Sequence, residues 1–461
     1  MRLLLSLVAA VAIAWSSTGS AWSDAASAPA ADCTGTGASD FDGDGVDDIA
    51  VGDPFAGPGG SAGTGAVHVL FGRGEGGTAV TVAETEAGDG FGWSVRLVRI
   101  DGDGCADLII GAPYADVAGH RDAGAVYVVH GGPDPRTIRL VSPYPEADAH
   151  FGWSLAFGGT LVAVGAPHEN ADGVADSGAV YLFDTETSGE GRRISQETKG
   201  VTGNSEAGDM FGWSPVLGKL GGAPGELDLA VGSPYENDDG TGAQAGGGKL
   251  DAGALTVIFD VGRAKDEYKS RKWDLRDIVD AGAGDLFGYA VAYGEQGDTG
   301  YLAVSAPLGD GGGVKDSGLV QLFLASSSLE ITAAATFHRG SEGAPDEGYG
   351  TSLAFSSADD VRLAVGVPFD GPDQRGGVRL LTMGEEGAGR LIAQSQAGDH
   401  FGWSVGFSGN RLVVGAPDRE GAGEVVLLGR NDAQGVPLSP GTGRIPALEG
   451  AASADFGSAV G

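Results

Sequence analysis

Basic residues are scarce in this chain. Against 63 Asp and Glu stand only 28 Lys and Arg, for a formal net charge of −35 over 461 residues. No Lys/Arg cluster is large enough to serve as a nucleic-acid footprint, so that class of partner is set aside. The two densest basic spots, Arg192-Arg193 and Lys269 to Lys272, read as solvated strand edges. Long apolar runs are missing beyond the first residues. Nothing later approaches the ~20 residues of a membrane-crossing helix, so no membrane span is expected. Cysteine is nearly absent, with Cys33 and Cys105 alone, which excludes a disulfide-built scaffold. Helical periodicity is also scarce. Lys265 to Val279 reads equally well as one helical turn or as a strand. Signatures of catalysis are lacking too. There is no nucleophile elbow, no zinc-type His pair and no phosphate-cradling loop, and the seven His residues are scattered.

What the chain does have is glycine, 85 residues of it, with an apolar share of 41% that suffices for a packed core. Glycine without a Gly-X-Y period points to many tight turns between short strands. The stretch Phe91 to Pro113, FGWSVRLVRIDGDGCADLIIGAP, sets the plan: an aromatic-glycine start, an apolar run, an Asp/Gly loop, a second apolar run and Gly-Ala-Pro. The aromatic-glycine start recurs at Phe151, Phe211, Phe287, Phe401 and Phe456, with Tyr349-Gly350 as a variant. The Gly-Ala-Pro element recurs at Gly52, Gly165, Gly232, Ser305, Gly366 and Gly415. Seven of each, about 50 to 75 residues apart, signal a propeller or solenoid.

Each unit holds four short apolar pieces separated by Gly, Asp and Pro. In unit one, Gly65 to Phe71 and Ala79 to Glu84 are strands by composition; in unit two, so are Gly124 to His130 and Arg136 to Val141. Four strands in seven units make an all-β, seven-bladed propeller of four-stranded antiparallel blades. Unit one lacks an aromatic-glycine strand, while Asp455 to Gly461 is such a strand with no Gly-Ala-Pro after it. The C-terminal strand is therefore expected to pair with the N-terminal blade and close the ring. Residues 1–21 read as a secretory signal, with Arg2, an apolar stretch from Leu3 to Trp15 and a small-residue Gly19-Ser20-Ala21 site. Residues 22–38 read as a flexible leader and 39–461 as the propeller. In an exported chain Cys33 and Cys105 can pair; two separate thiols are the other reading.

Two loops carry candidate metal ligands. In Asp40-Phe-Asp-Gly-Asp-Gly-Val-Asp-Asp48, carboxylates at Asp40, Asp42 and Asp44, the Val46 carbonyl and Asp48 can converge on Ca²⁺, with Gly45 permitting the sharp turn. Val51 stands where an EF-hand carries Glu, so this is a calcium loop of a β-hairpin. The alternative is an Asp/Gly turn without metal. The second loop offers Asp101, Asp103, the Cys105 carbonyl and Asp107, but Arg99 replaces the first acid. Weak calcium binding and a metal-free turn with Arg99 in the cation's place both remain open.

After Gly-Ala-Pro come loops with Tyr114, His168 and Tyr235, and with Glu169, Glu236 and Asp238; they are expected on the face opposite the Asp loops, where they read either as a recognition surface or as solvated acidic loops. Trp93, Trp153, Trp213 and Trp403 each follow a Phe by two. Inter-blade core packing is expected for them, with stacking on sugar rings as the alternative.

The whole pattern resembles the FG-GAP repeats of the integrin α-subunit propeller and its bacterial relatives, over roughly residues 40 to 461. The resemblance implies a calcium-binding recognition and adhesion module whose ligand face lies away from the Asp loops. The leg domains, membrane span and tail of an integrin α subunit are not part of the match. The expectation is a secreted or cell-surface module (a periplasmic one is also compatible), monomeric, that binds an extracellular protein or glycan. A secreted hydrolase or lyase with structural Ca²⁺, and a structural envelope protein, are the rival readings.

Overall fold

The computed structural model of the chain describes residue 33, residues 456–461, and residues 37–438 apart from 58–62, 74–75, 133–135, 188–190, 238–247, 327–328, 358–359, 372, 386–388, 394–396, 420–421 and 430–435. The expected signal segment and most of the leader lie outside the described residues.

Seven four-stranded antiparallel sheets form the chain. In blade 2 the strands are Ser94–Val98, Asp107–Ala112, Ala125–Val129 and Thr137–Leu140, hydrogen-bonded in chain order. The second and third are buried throughout, while the fourth is largely exposed. This gradient explains the sequence: Leu108, Ile109 and Ile110 are sandwiched on both faces, whereas Thr137 and Arg139 blunt a free edge. Blades 3 to 7 repeat the order over 154–194, 214–274, 291–337, 353–393 and 404–438. The first strand of each blade touches the first strand of the next, all the way round. These strands therefore surround the central axis.

Blade 1 is the exception in chain order. Its sheet begins with Ala459–Val460 and continues with Ile49–Asp53, Ala66–Leu70 and Gly77–Val80. Val460 pairs with Val51 and Ala459 with Gly52, so the C-terminal strand closes the ring as expected. Arg411 of blade 7 fastens the same seam by donating to the carbonyls of Asp47 (2.7 Å) and Gly72 (3.2 Å). Beneath it, Ile49 and Val51 pack with Val413, Val425 and Phe456. The apolar core lies between blades in this way around the molecule; Val67 and Val69 of blade 1 cluster with Leu108, Ile110 and Tyr127 of blade 2.

The repeated glycines have one geometric cause. The aromatic-glycine residue of one blade presses its carbonyl against the Gly-Ala-Pro glycine of the blade before. A Cβ on Gly111 would lie 2.1 Å from the Gly152 oxygen, and one on Gly165 would lie 2.1 Å from the Gly212 oxygen. No side chain fits there.

Three local readings change. The fourth strand of blade 1 is Gly77–Val80 rather than 79–84, because Thr85 turns back onto the Val82 carbonyl through both its N–H and its hydroxyl. Residues 265–279 contain both candidates: a strand, Lys269–Asp274, then a 3₁₀ turn, Leu275–Asp277. The basic spot within that strand is not simply a solvated edge. The Lys272 side chain is 2% exposed and pairs with Glu236 at 2.5 Å and Asp274 at 3.3 Å.

Candidate metal loops and an aromatic face

The first strand of a blade enters one face of the ring and the second strand leaves it, so the loops between them collect on that face. In blade 1, whose first strand comes from the C-terminus, the segment leading into Ile49–Asp53 takes the place of this loop and brings one carboxylate oxygen each of Asp40, Asp42 and Asp48 within 4.8 Å of one another. Asp40 and Asp48 are buried, at 1% and 0% exposure. Asp48 holds the loop to its sheet by accepting the Phe41 and Gly72 N–H groups, both at 2.7 Å. Asp40 Oδ2 accepts the Gly45 N–H at 2.8 Å. Its other oxygen, Oδ1, is buried with no hydrogen-bond partner. Burial pushes the Asp48 carboxyl up to about 7, and burial likewise raises Asp42. Three crowded acids and an orphan oxygen suit a hard divalent cation, which would satisfy the oxygen and offset the repulsion. Asp44 is turned toward Arg73, whose Nε lies 3.1 Å from its Oδ2. The Val46 N–H is tied to Asp44 Oδ1 at 2.8 Å.

The blade 2 loop is built differently. Asp107, fully buried, accepts the N–H groups of Ile100 (2.8 Å) and Gly131 (3.1 Å). Asp103 accepts the Cys105 N–H at 2.9 Å, and the Cys105 sulfur is joined to Cys33 in a disulfide, with a Cα separation of 4.8 Å. The base that meets the carboxylates is not Arg99, which donates instead to the Gly37 carbonyl. It is His130, whose Nδ1 lies 3.0 Å from Asp101 Oδ2 and 3.1 Å from Asp107 Oδ1. Arg136 approaches Asp101 from solvent at 3.3 Å. His130 was not singled out in the sequence. Its only signal is a His before Gly131 where unit one has Phe71 before Gly72.

The opposite face holds the loops after Gly-Ala-Pro and the starts of the innermost strands. Here Trp93, Trp153, Trp213 and Tyr289 form a continuous row over four consecutive blades. Their ring centroids are 4.8, 5.0 and 5.6 Å apart in turn. Tyr114 sits edge-on to Trp93 at 5.5 Å and Tyr235 to Trp213 at 5.6 Å, while His150 and His168 flank Trp153. The tryptophans do pack from blade to blade, but they are not core. Trp93, Trp153 and Trp213 are half-buried and Trp403 is 39% exposed. The cause is position: each stands one residue before its strand begins, at the mouth of the ring rather than inside it.

Two of the acids expected on this surface, Glu169 and Glu236, are not on it. Glu169 and Glu236 are buried at 4% and 3% exposure. Glu169 accepts from the Tyr181 hydroxyl at 2.7 Å and pairs with Arg193 at 2.7 Å; burial pushes its carboxyl up to about 7. Glu236 accepts from Gln196 at 2.6 Å and pairs with Lys272. Both brace the blades from within. Asp238 lies outside the described residues.

Comparison with known proteins agrees with this architecture. Profiles of the FG-GAP repeat match residues 34–70, 91–129, 137–183 and 390–426. Integrin alpha-PS2 of Drosophila melanogaster is 32% identical over 159 residues, covering 31% of this chain and 11% of that protein. Integrin alpha-5 of Xenopus laevis is 34% identical over 155 residues, covering 31% and 14%. Phosphatidylinositol-glycan-specific phospholipase D of Homo sapiens is 36% identical over 220 residues, covering 43% and 24%. The matches therefore span less than a quarter of each relative's own length. Among the described residues, no helix is long and apolar enough to cross a membrane.

Proposed function

Because this chain is an FG-GAP repeat protein whose propeller resembles that of the integrin α subunits, we propose that it is a secreted, calcium-binding recognition module for an extracellular protein or glycan. In this reading residues 1–21 direct export, 22–38 are a leader and 39–461 are the binding unit, acting as a monomer. The observation that carries the reading is the half-exposed row Trp93, Trp153, Trp213 and Tyr289. Rigid aromatic rings at a surface offer large contact area at low entropic cost and anchor both protein and sugar ligands. The disulfide between Cys33 and Cys105 suits an oxidising compartment.

Calcium belongs to the blade 1 loop in this reading, with Asp40, Asp42 and Asp48 as carboxylate ligands. Asp44 and the Val46 carbonyl join once Arg73 withdraws. The ion supports the fold rather than chemistry, since it sits on the face opposite the aromatic row.

The decisive experiment screens the purified chain and a Trp153→Ala/Trp213→Ala variant against an array of glycans and extracellular proteins. Binding by the parent that the variant loses is expected; silence of the parent across the array defeats the proposal. For calcium, the melting temperature should fall when the ion is chelated, and an unchanged midpoint removes calcium from the account. A hydrolytic reading draws on one observation, the match to the human phospholipase D. It is tested by incubating the chain with a phosphatidylinositol-glycan-anchored protein and measuring release.

A further inference from the structure

We propose that Asp101, Asp107 and His130 of blade 2 form a mixed imidazole–carboxylate site for a first-row divalent transition ion, different in kind from the all-oxygen loop of blade 1. The two loops can be compared atom by atom. Gly72 donates to Asp48 and Gly131 donates to Asp107 in the same way. The residues just before these glycines, Phe71 and His130, therefore occupy equivalent places. At the other end of the loop Arg99 stands where blade 1 has Asp40. Blade 2 has thus lost a carboxylate and gained an imidazole. Calcium wants six to eight hard oxygens, whereas imidazole beside carboxylate suits zinc, copper, iron or nickel.

The geometry points the same way. His130 is 3% exposed, and neither of its ring nitrogens makes a hydrogen bond. Nδ1 nevertheless lies 3.0 Å from Asp101 Oδ2 and 3.1 Å from Asp107 Oδ1. The oxygens are close enough for an N–H···O bond but lie off its direction. An ion about 2.1 Å from each of two ligands at right angles separates them by about 3.0 Å. One ligand atom from each of Asp101, Asp107 and His130 lies within 4.8 Å of the other two. Outer contacts are already in place: Asp107 is oriented by the N–H groups of Ile100 and Gly131, the kind of support that fixes metal ligands. Arg136, whose side chain is 59% exposed, touches Asp101 from the solvent side and is free to swing away as an ion enters.

The test uses the full chain, stripped by chelation and then saturated with Ca²⁺, titrated with Co²⁺ and Zn²⁺ by calorimetry and, for Co²⁺, by visible absorption. One further equivalent of each should bind. His130→Phe, which installs the blade 1 residue, should weaken that step at least ~100-fold, in line with loss of a ligand and its outer contacts. Asp266→Asn, an exposed acid of blade 4 outside both loops, should leave it unchanged. Should His130→Phe fail to fold, Asp101→Asn provides the same reading, because the Asp101 side chain is 28% exposed and its loss opens no core. Absence of Co²⁺ and Zn²⁺ binding by the parent overturns the proposal and leaves His130 as an internal counter-ion. Undiminished binding in whichever of the two variants folds overturns it as well.

Discussion

Val460 lies opposite Val51 in one antiparallel sheet, so residues near the two ends of the described chain share a blade. Around that contact, Gly461 and Ala50 exchange both backbone hydrogen bonds, at 3.0 and 3.1 Å. The ring depends on this pair, because an unclosed propeller would leave Ile49, Val51, Val413 and Val425 against water.

Opening the seam should therefore be costly. Val460 is 6% exposed, and Val460→Asp places an unpaired carboxylate between blades 1 and 7. The expected loss is about 3 kcal/mol or more, read as a lower urea midpoint and new binding of an apolar dye. An unchanged midpoint would mean that the terminal strand contributes nothing to the ring.

Close approach of neighbouring blades makes a second prediction. Gly165→Ala should destabilise by about 2–3 kcal/mol, since the new Cβ meets the Gly212 oxygen and the Ser154 hydroxyl, both at 2.1 Å. Gly102→Ala, with nothing within 4 Å of the new atom, should stay within about 0.5 kcal/mol. Equal melting temperatures for the two variants would remove the steric explanation of the repeated glycines.

The disulfide ties residues 72 apart in the chain and anchors the segment ahead of blade 1 to the blade 2 loop. Replacing both cysteines, Cys33→Ser/Cys105→Ser, should cost about 2–4 kcal/mol in thermal unfolding. The same loss should follow from reductant with the parent chain and be absent when reductant is added to the variant.

His68 gives the fold an acid sensitivity. It is 1% exposed, stands edge-on to Phe456 at 5.2 Å, and burial pushes its imidazole down to about 4 from 6.5. Between those values the unfolded chain binds a proton that the folded chain refuses. Stability from this group is thus full above about pH 6.5 and is lost as pH falls toward 4. The loss by pH 5 is about 2 kcal/mol. Removing the group by His68→Leu should shrink the drop in melting temperature between pH 7.5 and 5 relative to the parent. A drop of the same size in both chains would place the acid sensitivity elsewhere; Asp48 and Glu169, pushed up to about 7 by burial, act with the opposite sign in both.

The periodic text of the chain determined the architecture. Seven aromatic-glycine starts and seven Gly-Ala-Pro-type ends count the blades directly, because close backbone contact between blades favours glycine; Ser305 is the one of the seven Gly-Ala-Pro positions that carries a side chain. The offset between the two series at Gly52 and Phe456 also foretold the closing strand. The blade 1 loop was legible for a similar reason: Asp40, Asp42 and Asp48 lie within nine residues, so local chain geometry suffices to gather them. Tertiary structure decided what depends on distant partners. Glu169 and Glu236 look like surface acids until Tyr181, Arg193 and Lys272 arrive from strands, and Gln196 from a turn, to bury them. The tryptophans pack against one another yet stay open to solvent because they cap the innermost strands. His130 reaches Asp101 and Asp107 from the far end of the third strand of its blade, and only the folding of that sheet brings an imidazole to the acids.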